Sequence, residues 1–292
     1  MEYKPTVKEK LFTHGEIHLN YAVWGEGNQP LLAFHGFGRT HADFIRFTRP
    51  FNETFKVYAF DIFFHGKSDI GKRSPDVDPL SKQELKELFE AFLNHEKLSS
   101  TSLMGYSLGG RICMCIAEVM PEKTDALYLF APDGLIVNRW YALLSHYSLG
   151  RVAFRTFIKH NAPFYWILNG LYRTKAISSK LRGFVLSQIK TREMQQQVYS
   201  VWTFLRKIEP DFDQLGKAMR AHEITADIFF GLYDKIIPEK NARKFRRANP
   251  EIKVHTLRSG HILMTGANSV LIMKENLMRL PKGTETKKPP LH

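Results

Sequence analysis

Residues 105–110, Gly-Tyr-Ser-Leu-Gly-Gly, decide how this chain is interpreted. The segment Ser102–Met104 immediately before them predicts a strand, and the apolar residues after them recur at helical spacing. A sharp turn from strand to helix lifts the middle side chain, Ser107, above the edge of a sheet. Glycine is required at Gly105 and Gly109 because side chains there would collide with neighbouring backbone. We therefore predict that Ser107 is a nucleophile on such a turn.

Short segments rich in β-forming residues lie on both sides of this turn. Several are apolar nearly throughout, which is typical of parallel strands covered on both faces. The predicted strands are Leu31–Phe34, Lys56–Asp61, Ser102–Met104, Ala126–Phe130, Ile228–Gly231 and Ile252–Leu257. Helical patterns separate them, so the chain is predicted to have an α/β fold with a mostly parallel central sheet and helices on both faces.

Two further segments have clear local patterns. Ser81 and Glu84 form a capping box and predict the start of a helix. Its core-facing side is predicted from apolar residues at helical spacing, which are Leu85, Leu88, Phe89, Phe92 and Leu93. Apolar residues alternate with others from Ile17 to Trp24, which predicts a half-exposed antiparallel strand at a sheet edge, turning at Gly25–Gly27.

The alternation of strands and helices breaks between about Ile136 and Gly216, where the sequence is helical, aromatic and basic. We predict a core of residues 11–135 and 217–280, a helical insertion at 136–216, and a disordered tail at 281–292. From Ile136 to Ile208 there are twelve Lys or Arg and one acid, Glu193. This segment therefore carries most of the net charge of +13.

With a strand before it and a helix after it, the G-x-S-x-G motif resembles that of the α/β-hydrolase family, in the branch whose members carry a cap. The resemblance extends from about Leu11 to about Leu280 and implies that 136–216 is that cap. Family members use a serine, an acid and a histidine in this order along the chain. The resemblance therefore directs attention to acids and histidines that follow Ser107.

Asp234 is the favoured acid, because it follows a predicted strand within a G-x-x-D-x-x-x-P pattern that is similar to the family's. Asp133 is the alternative, since it follows the strand before the insertion, where some family members keep their acid. His261, preceded by Gly260 and placed after the last predicted strand, is the favoured base. Such chemistry needs an imidazole near the hydroxyl and a carboxylate that fixes its tautomer.

The loop His35-Gly36-Phe37-Gly38 follows another predicted strand. The resemblance implies that the backbone N–H groups of Phe37 and Leu108 bind the developing oxyanion. His35 is interpreted as a residue that braces this loop rather than as a base. Residues 61–68, Asp-Ile-Phe-Phe-His-Gly-Lys-Ser, are predicted to be scaffold near the site, since they lack the first glycine of a phosphate-binding loop.

The basic insertion has three interpretations. It is a solvated face, a surface that docks on anionic lipid, or an attractor of acidic substrates. Nucleic acid is not expected as a partner, because the sequence has no binding motif for it. The N-terminus lacks the apolar stretch of a signal peptide, and the only cysteines are Cys113 and Cys115. We therefore expect a cytoplasmic protein, with membrane association as one outcome of the charge.

The combined prediction is a serine hydrolase that cleaves an ester of an apolar or lipid-like acyl group without a cofactor or a metal. Two alternatives stay open, a carbon–carbon bond hydrolase and a non-catalytic binding module with the same fold. Because the nucleophile is a serine, the resemblance argues against epoxide hydrolases and haloalkane dehalogenases, which use an aspartate at that position.

Overall fold

The structure is a computed structural model that describes residues 6–136, 139–159, 169–170, 172–174, 183, 186 and 190–280. Its strands are β1 (Lys8–His14), β2 (Ile17–Trp24), β3 (Gln29–Phe34), β4 (Phe55–Phe60), β5 (Thr101–Tyr106), β6 (Thr124–Phe130), β7 (Thr225–Gly231) and β8 (Lys253–Leu257). The α-helices with both ends in the described ranges are α1 (Ala42–Phe47), α2 (Lys82–Glu96), α3 (Leu108–Val119), α4 (Arg139–His146), α5 (Ser148–Lys159), α6 (Arg192–Phe204), α7 (Phe212–Ala221), α8 (Arg243–Ala248) and α9 (Gly266–Lys274). Short 3-10 helices lie at Arg49–Phe51, Pro121–Lys123 and Glu239–Ala242.

The eight strands form one sheet in the order β1-β2-β4-β3-β5-β6-β7-β8. The pairs β1–β2 and β2–β4 are antiparallel, and the remaining pairs are parallel. All six predicted parallel strands are present, with ends that differ from the prediction by at most a few residues. The predicted mostly parallel α/β architecture is confirmed.

The prediction for residues 17–24 is correct as to strand and direction, but it is wrong as to position. β1 pairs along the outside of β2, so β1 is the edge strand. Most side chains of β2 are consequently buried rather than half-exposed. β1 itself was not predicted, because its sequence exposes every side chain except Phe12 and therefore lacks an apolar alternation.

Helix α2 begins and packs as predicted. The backbone N–H of Glu84 donates to Ser81 Oγ over 3.1 Å, and the backbone N–H of Ser81 donates to Glu84 Oε2 over 2.9 Å. All five predicted core residues are buried. Phe92 is central among them, because its ring meets those of Phe60 and Tyr21 edge-on, with centroids 4.7 and 5.1 Å apart. This helix therefore fixes the antiparallel side of the sheet to its core.

Between β6 and β7 the described residues form helices α4, α5, α6 and α7. Helix α7 crosses position 216, the predicted end of the insertion, and its Phe212, Leu215 and Met219 belong to the same buried cluster as Ile112 of α3. Within the described ranges, none of the helices combines the length and the apolar character needed to cross a membrane. The tail predicted at 281–292 lies outside the described residues.

Replacement of Phe92 by alanine is expected to lower the free energy of unfolding by about 3–5 kcal/mol, because a fully buried aromatic side chain leaves a cavity. Urea unfolding monitored by circular dichroism measures this change. The control is Val77→Ala at an exposed loop position, which should change the free energy by less than about 0.5 kcal/mol. Equal effects of the two replacements would contradict the core assigned to α2.

Candidate active site

Ser107 occupies a strained turn between β5 and α3. Its backbone angles are φ 51° and ψ −114°, a conformation that residues other than glycine rarely adopt. Its N–H donates to the carbonyl oxygen of Phe130 over 2.9 Å, which fixes the turn to the neighbouring strand. A Cβ atom at Gly105 would lie 2.6 Å from the carbonyl carbon of Gly109, and one at Gly109 would overlap the carbonyl oxygen of Phe34. The turn therefore exists only because both positions are glycine.

Asp234 and His261 form a hydrogen-bonded pair. Nδ1 of His261 lies 2.8 Å from Oδ2 of Asp234, whose side chain is fully buried. Oδ1 of Asp234 accepts hydrogen bonds from the backbone N–H groups of Ile236 and Ile237. Burial by itself would raise the pKa of Asp234, but its interactions with His261 and these N–H groups outweigh it and hold the pKa below its ordinary value. Asp234 is therefore a carboxylate that accepts a hydrogen bond from Nδ1–H of His261.

The histidine is also tied to the Ser107 turn. The hydroxyl of Tyr106, the residue before Ser107, donates to the backbone carbonyl of His261 over 3.1 Å. The two rings lie 5.5 Å apart between centroids. The carbonyl groups of Ser259 and Gly260 pack against the end of β7, next to which Asp234 lies. The structure thus brings the carboxyl ends of β5, β7 and β8 together at one sheet edge.

The alternative acid, Asp133, has a different partner. Its carboxylate lies 3.4 Å from Nε of the buried Arg111, and its side chain is 44% exposed. Its backbone N–H donates to the carbonyl oxygen of Ser107 over 2.8 Å, so Asp133 supports the turn through its main chain. The geometry therefore favours Asp234 over Asp133 as the carboxylate that orients His261.

The loop after β3 lies directly against Ser107. A Cβ atom at Gly36 would be 3.3 Å from Cβ of Ser107. Phe37 follows in this loop and is partly buried against the core, while Leu108 follows Ser107 as the first residue of α3. The two residues predicted to donate N–H groups therefore come from the two segments that meet at Ser107.

Two neutral histidines brace this loop. Nε2 of His35 accepts the backbone N–H of Ile62 over 3.0 Å, so Nδ1 carries the proton that it donates to the carbonyl of Gly36 over 2.7 Å. Burial, together with the nearby His65, lowers the pKa of His35 to about 3. The interpretation of His35 as a bracing residue is confirmed.

His65 has the same role, which the sequence analysis missed. Its Nε2 accepts the backbone N–H of Gly38 over 2.9 Å, and its Nδ1 donates to the carbonyl of Phe63 over 3.0 Å. Burial lowers the pKa of His65, which keeps the ring neutral. The stretch 61–68 was correctly predicted to be scaffold, but only the tertiary structure shows that its histidine holds the Gly36–Gly38 loop.

Asp61 secures that scaffold. Its Oδ1 accepts hydrogen bonds from the backbone N–H and from Nδ1 of His41, each over 2.9 Å, and its Oδ2 accepts from Asn20 over 2.8 Å. Burial would raise the pKa of Asp61, but these bonds outweigh it and hold the pKa well below its ordinary value. The hydrogen bond to Asp61 in turn raises the pKa of His41.

Helices α5 and α6 lie over the loop. Phe154 of α5 forms a buried cluster with Val198 and Tyr199 of α6, and Phe37 packs against this cluster. These helices are held to the core through Asp76. Its carboxylate accepts a hydrogen bond from the Tyr199 hydroxyl over 2.6 Å and pairs with Arg151 at 3.2 Å.

Among the described residues, there is no group of three or more His, Cys, Asp or Glu side chains that could hold a metal ion.

Comparison with known proteins identifies the family. A family model for the alpha/beta hydrolase fold matches residues 29–265, so the chain belongs to the α/β-hydrolase family. The confirmed fold agrees with the resemblance on which the sequence analysis relied.

Individual relatives are distant. The chain is 26% identical over 273 residues to a dihydrolipoyllysine-residue acetyltransferase component of the acetoin cleaving system of Pseudomonas putida. The matched region covers 89% of this chain and 65% of that protein. It is 28% identical over 133 residues to the putative esterase/lipase 2 of Mycoplasma genitalium, covering 44% of this chain and 48% of that protein. It is 23% identical to lipase 1 of Psychrobacter immobilis, covering 82% of this chain and 73% of the lipase. The chain thus spans less than two thirds of the first two of these relatives.

Solved structures share the fold. A membrane phospholipase A, described as a bacterial virulence factor, has a TM-score of 0.61 and 19% identity, covering 93% of this chain and 86% of that one. A putative epoxide hydrolase from Pseudomonas aeruginosa has a TM-score of 0.63 and 15% identity, covering 93% and 95%. At these identities the likeness concerns the fold alone.

The Asp61–His41 pair gives a pH-dependent prediction. The lowered pKa of Asp61 stabilises the fold above about pH 4, and this contribution is lost as the pH falls toward the folded-state value. The raised pKa of His41 stabilises it below about pH 6.5, and that contribution is lost as the pH rises through its folded-state value. The stability advantage of the wild type over Asp61→Asn should therefore be greatest between these pH values. Urea unfolding of both proteins from pH 3 to 8 measures it, and a pH-independent difference would contradict the assignment.

Proposed function

We propose that this member of the α/β-hydrolase family hydrolyses carboxylic esters of apolar or lipid-like acyl groups, with Ser107, His261 and Asp234 as its catalytic residues. The observation that carries the proposal is the 2.8 Å hydrogen bond between His261 and the buried Asp234, formed at the sheet edge where the Ser107 turn is anchored. The esterase and lipase names of two relatives point in the same direction.

In the proposed reaction, Ser107 Oγ attacks the ester carbonyl carbon and His261 takes the hydroxyl proton. Since Nδ1 of His261 faces Asp234, Nε2 is the nitrogen left to act as the base. Asp234 stays ionised and stabilises the imidazolium. The tetrahedral intermediate then expels the alcohol, which receives the proton from His261. Water attacks the resulting acyl-enzyme by the same route, releasing the carboxylic acid and restoring Ser107.

The backbone N–H groups of Phe37 and Leu108 are proposed to bind the oxyanion. Support comes from Gly36, which lies against Ser107, and from the two neutral histidines that hold its loop. A donor fixed before the reaction has no reorganisation cost when negative charge develops. Neutral imidazoles suit this position, because they brace the loop without adding a charge beside the reacting carbonyl.

Residues 136–216 are proposed to be a helical cap over a core made of 11–135 and 217–280. The described part of this segment supports the proposal, since Phe154 and Tyr199 cluster over Phe37 and Asp76 of the core pairs with Arg151. A cap in this place excludes water and supplies apolar walls for an acyl chain. The chemistry proposed here uses only side chains and water, so no cofactor or metal is invoked.

The first test is hydrolysis of nitrophenyl esters of increasing acyl length by the wild type and by Ser107→Ala. We expect activity to rise toward longer chains, since the proposed pocket is apolar. Loss of the nucleophile should lower kcat by about 10⁶-fold, to the level left by binding and the oxyanion donors. Circular dichroism of the variant controls for folding. A folded wild type without activity on any ester would contradict the ester hydrolase and favour a carbon–carbon hydrolase or a binding module.

A second test compares Asp234→Asn with Asp133→Asn. An amide at 234 carries no negative charge and can donate from its NH2 group to Nδ1 of His261, which would leave the proton on Nε2, so kcat is expected to fall about 10⁴-fold with little change in KM. Asp133→Asn should leave kcat nearly unchanged, because its backbone N–H, rather than its carboxylate, contacts Ser107. Steady-state kinetics on one nitrophenyl ester decides between them. The opposite ranking of the two variants would assign the acid to Asp133.

A further inference from the structure

Helix α5 has apolar side chains on two opposite faces. Toward the protein, Phe154 is buried and Ile158 packs against the same cluster. Toward solvent, Leu149 is 83% exposed and Val152 is half exposed. A surface helix of a globular protein ordinarily places polar residues on its outward side. The outward side of α5 therefore combines the exposed polar residues Ser148 and Thr156 with two large apolar side chains that a face meeting only water does not need.

The end of α4 extends this surface. Leu143 in α4 and Tyr147 just after it are both exposed, Tyr147 by 64%. The two helices meet closely at their turn, because a Cβ atom at Gly150 would overlap the carbonyl oxygen of Leu143. We name Leu143, Tyr147, Leu149 and Val152 the outer apolar face.

The stretch of sequence that contains the outer apolar face is positively charged. The sequence contains no Asp or Glu between Asp133 and Glu193, whereas Lys and Arg recur throughout this stretch. Arg151 and Arg155 of α5 both pair with one carboxylate, that of Asp76, so a net positive charge remains there. A binding partner complementary to this surface would be apolar where it meets the outer apolar face and anionic around that contact.

We propose that the outer apolar face docks on bilayers that contain anionic phospholipid. Leu149 and Val152 enter the boundary between headgroups and acyl chains, and Tyr147 lies in the headgroup layer. Exposed basic side chains of the described residues, such as the half-exposed Arg155, meet lipid phosphates. By its sequence alone, the basic segment fits a solvated face, a membrane surface or an attractor of acidic substrates equally. The exposed apolar residues favour the membrane surface, since neither of the other two requires them.

The outer apolar face lies where a docked bilayer could supply substrate to the proposed active site, an inference that rests on the proposed function. The inner side of α5 belongs, with α6, to the cluster against which Phe37 packs, so this cluster separates a docked bilayer from the proposed oxyanion loop. An ester drawn from the bilayer would have a short path to Ser107.

Co-sedimentation with vesicles tests the docking. The Ser107→Ala variant is used, so that binding is measured without hydrolysis and independently of the proposed activity. We expect binding to vesicles of phosphatidylcholine with about one third phosphatidylglycerol at low salt, and weaker binding to pure phosphatidylcholine. At 0.5 M salt the difference between the two compositions should shrink, because the lipid charges are screened. Absence of binding to anionic vesicles at low salt would overturn the proposal.

Replacement of both Leu149 and Val152 by aspartate locates the contact. Loss of two apolar anchors and the addition of two negative charges should weaken vesicle binding by about tenfold or more. Leu11→Asp is the control, since Leu11 is also an exposed leucine but lies on the edge strand β1, whereas α5 follows β6, five positions further along the sheet. Wild-type binding by the double variant would show that another surface, or charge alone, carries the interaction.

The same double variant, made with Ser107 intact, separates docking from catalysis. Its hydrolysis of a short nitrophenyl ester in solution should equal that of the wild type, whereas its activity on esters within anionic vesicles should fall with its binding. An equal loss on both substrates would mean that the outer apolar face belongs to the site rather than to a membrane contact. Binding without any esterase activity would retain the docking surface and reject the proposed function.

Discussion

The strained turn at Ser107 is the constraint on which the other features of the site depend. A serine at φ 51° is stable only if its surroundings hold it, and here they do so through backbone. Its N–H bonds to the end of β6, and its carbonyl accepts from Asp133. Glycine at 105 and 109 lets α3 approach β5 and β3 closely enough to close the turn. The parallel sheet thereby places the serine where the loops after β3, β7 and β8 also converge.

Around that turn, hydrogen bonds and burial fix the protonation states of the polar side chains. Asp234 is kept ionised by the groups that donate to it, and it in turn sets the tautomer of His261. His35 and His65 are kept neutral by burial, so each donates from one nitrogen and accepts at the other. Burial favours the uncharged form in both kinds of group, and the hydrogen bonds to Asp234 together with its charge interaction with His261 keep the carboxylate ionised.

The segment between β6 and β7 joins two environments. Its inward side chains continue the apolar packing of the core onto Phe37, and its outward side includes the exposed Leu149 and Val152 where a surface helix is ordinarily polar. Asp76 holds the segment to the core with two arginines and a tyrosine, which leaves the surrounding charge positive. The same helices thus have the composition to shape a pocket and to contact a second apolar phase.

The sequence by itself determined the six parallel strands, α2 with its cap and the Ser107 turn. It also limited the acid that could pair with His261 to Asp234 or Asp133. Each of these features has a local signature in apolar runs, spacing or glycine placement. It did not reveal β1, since a strand exposed along its length has no apolar pattern, and so it placed β2 at the edge. Only the tertiary structure decided that Asp234 rather than Asp133 meets His261, that His65 braces the loop of Phe37, and that Asp76 anchors the basic helices. These contacts join residues far apart in the chain, and no local pattern encodes which distant partner the fold will bring within hydrogen-bond reach.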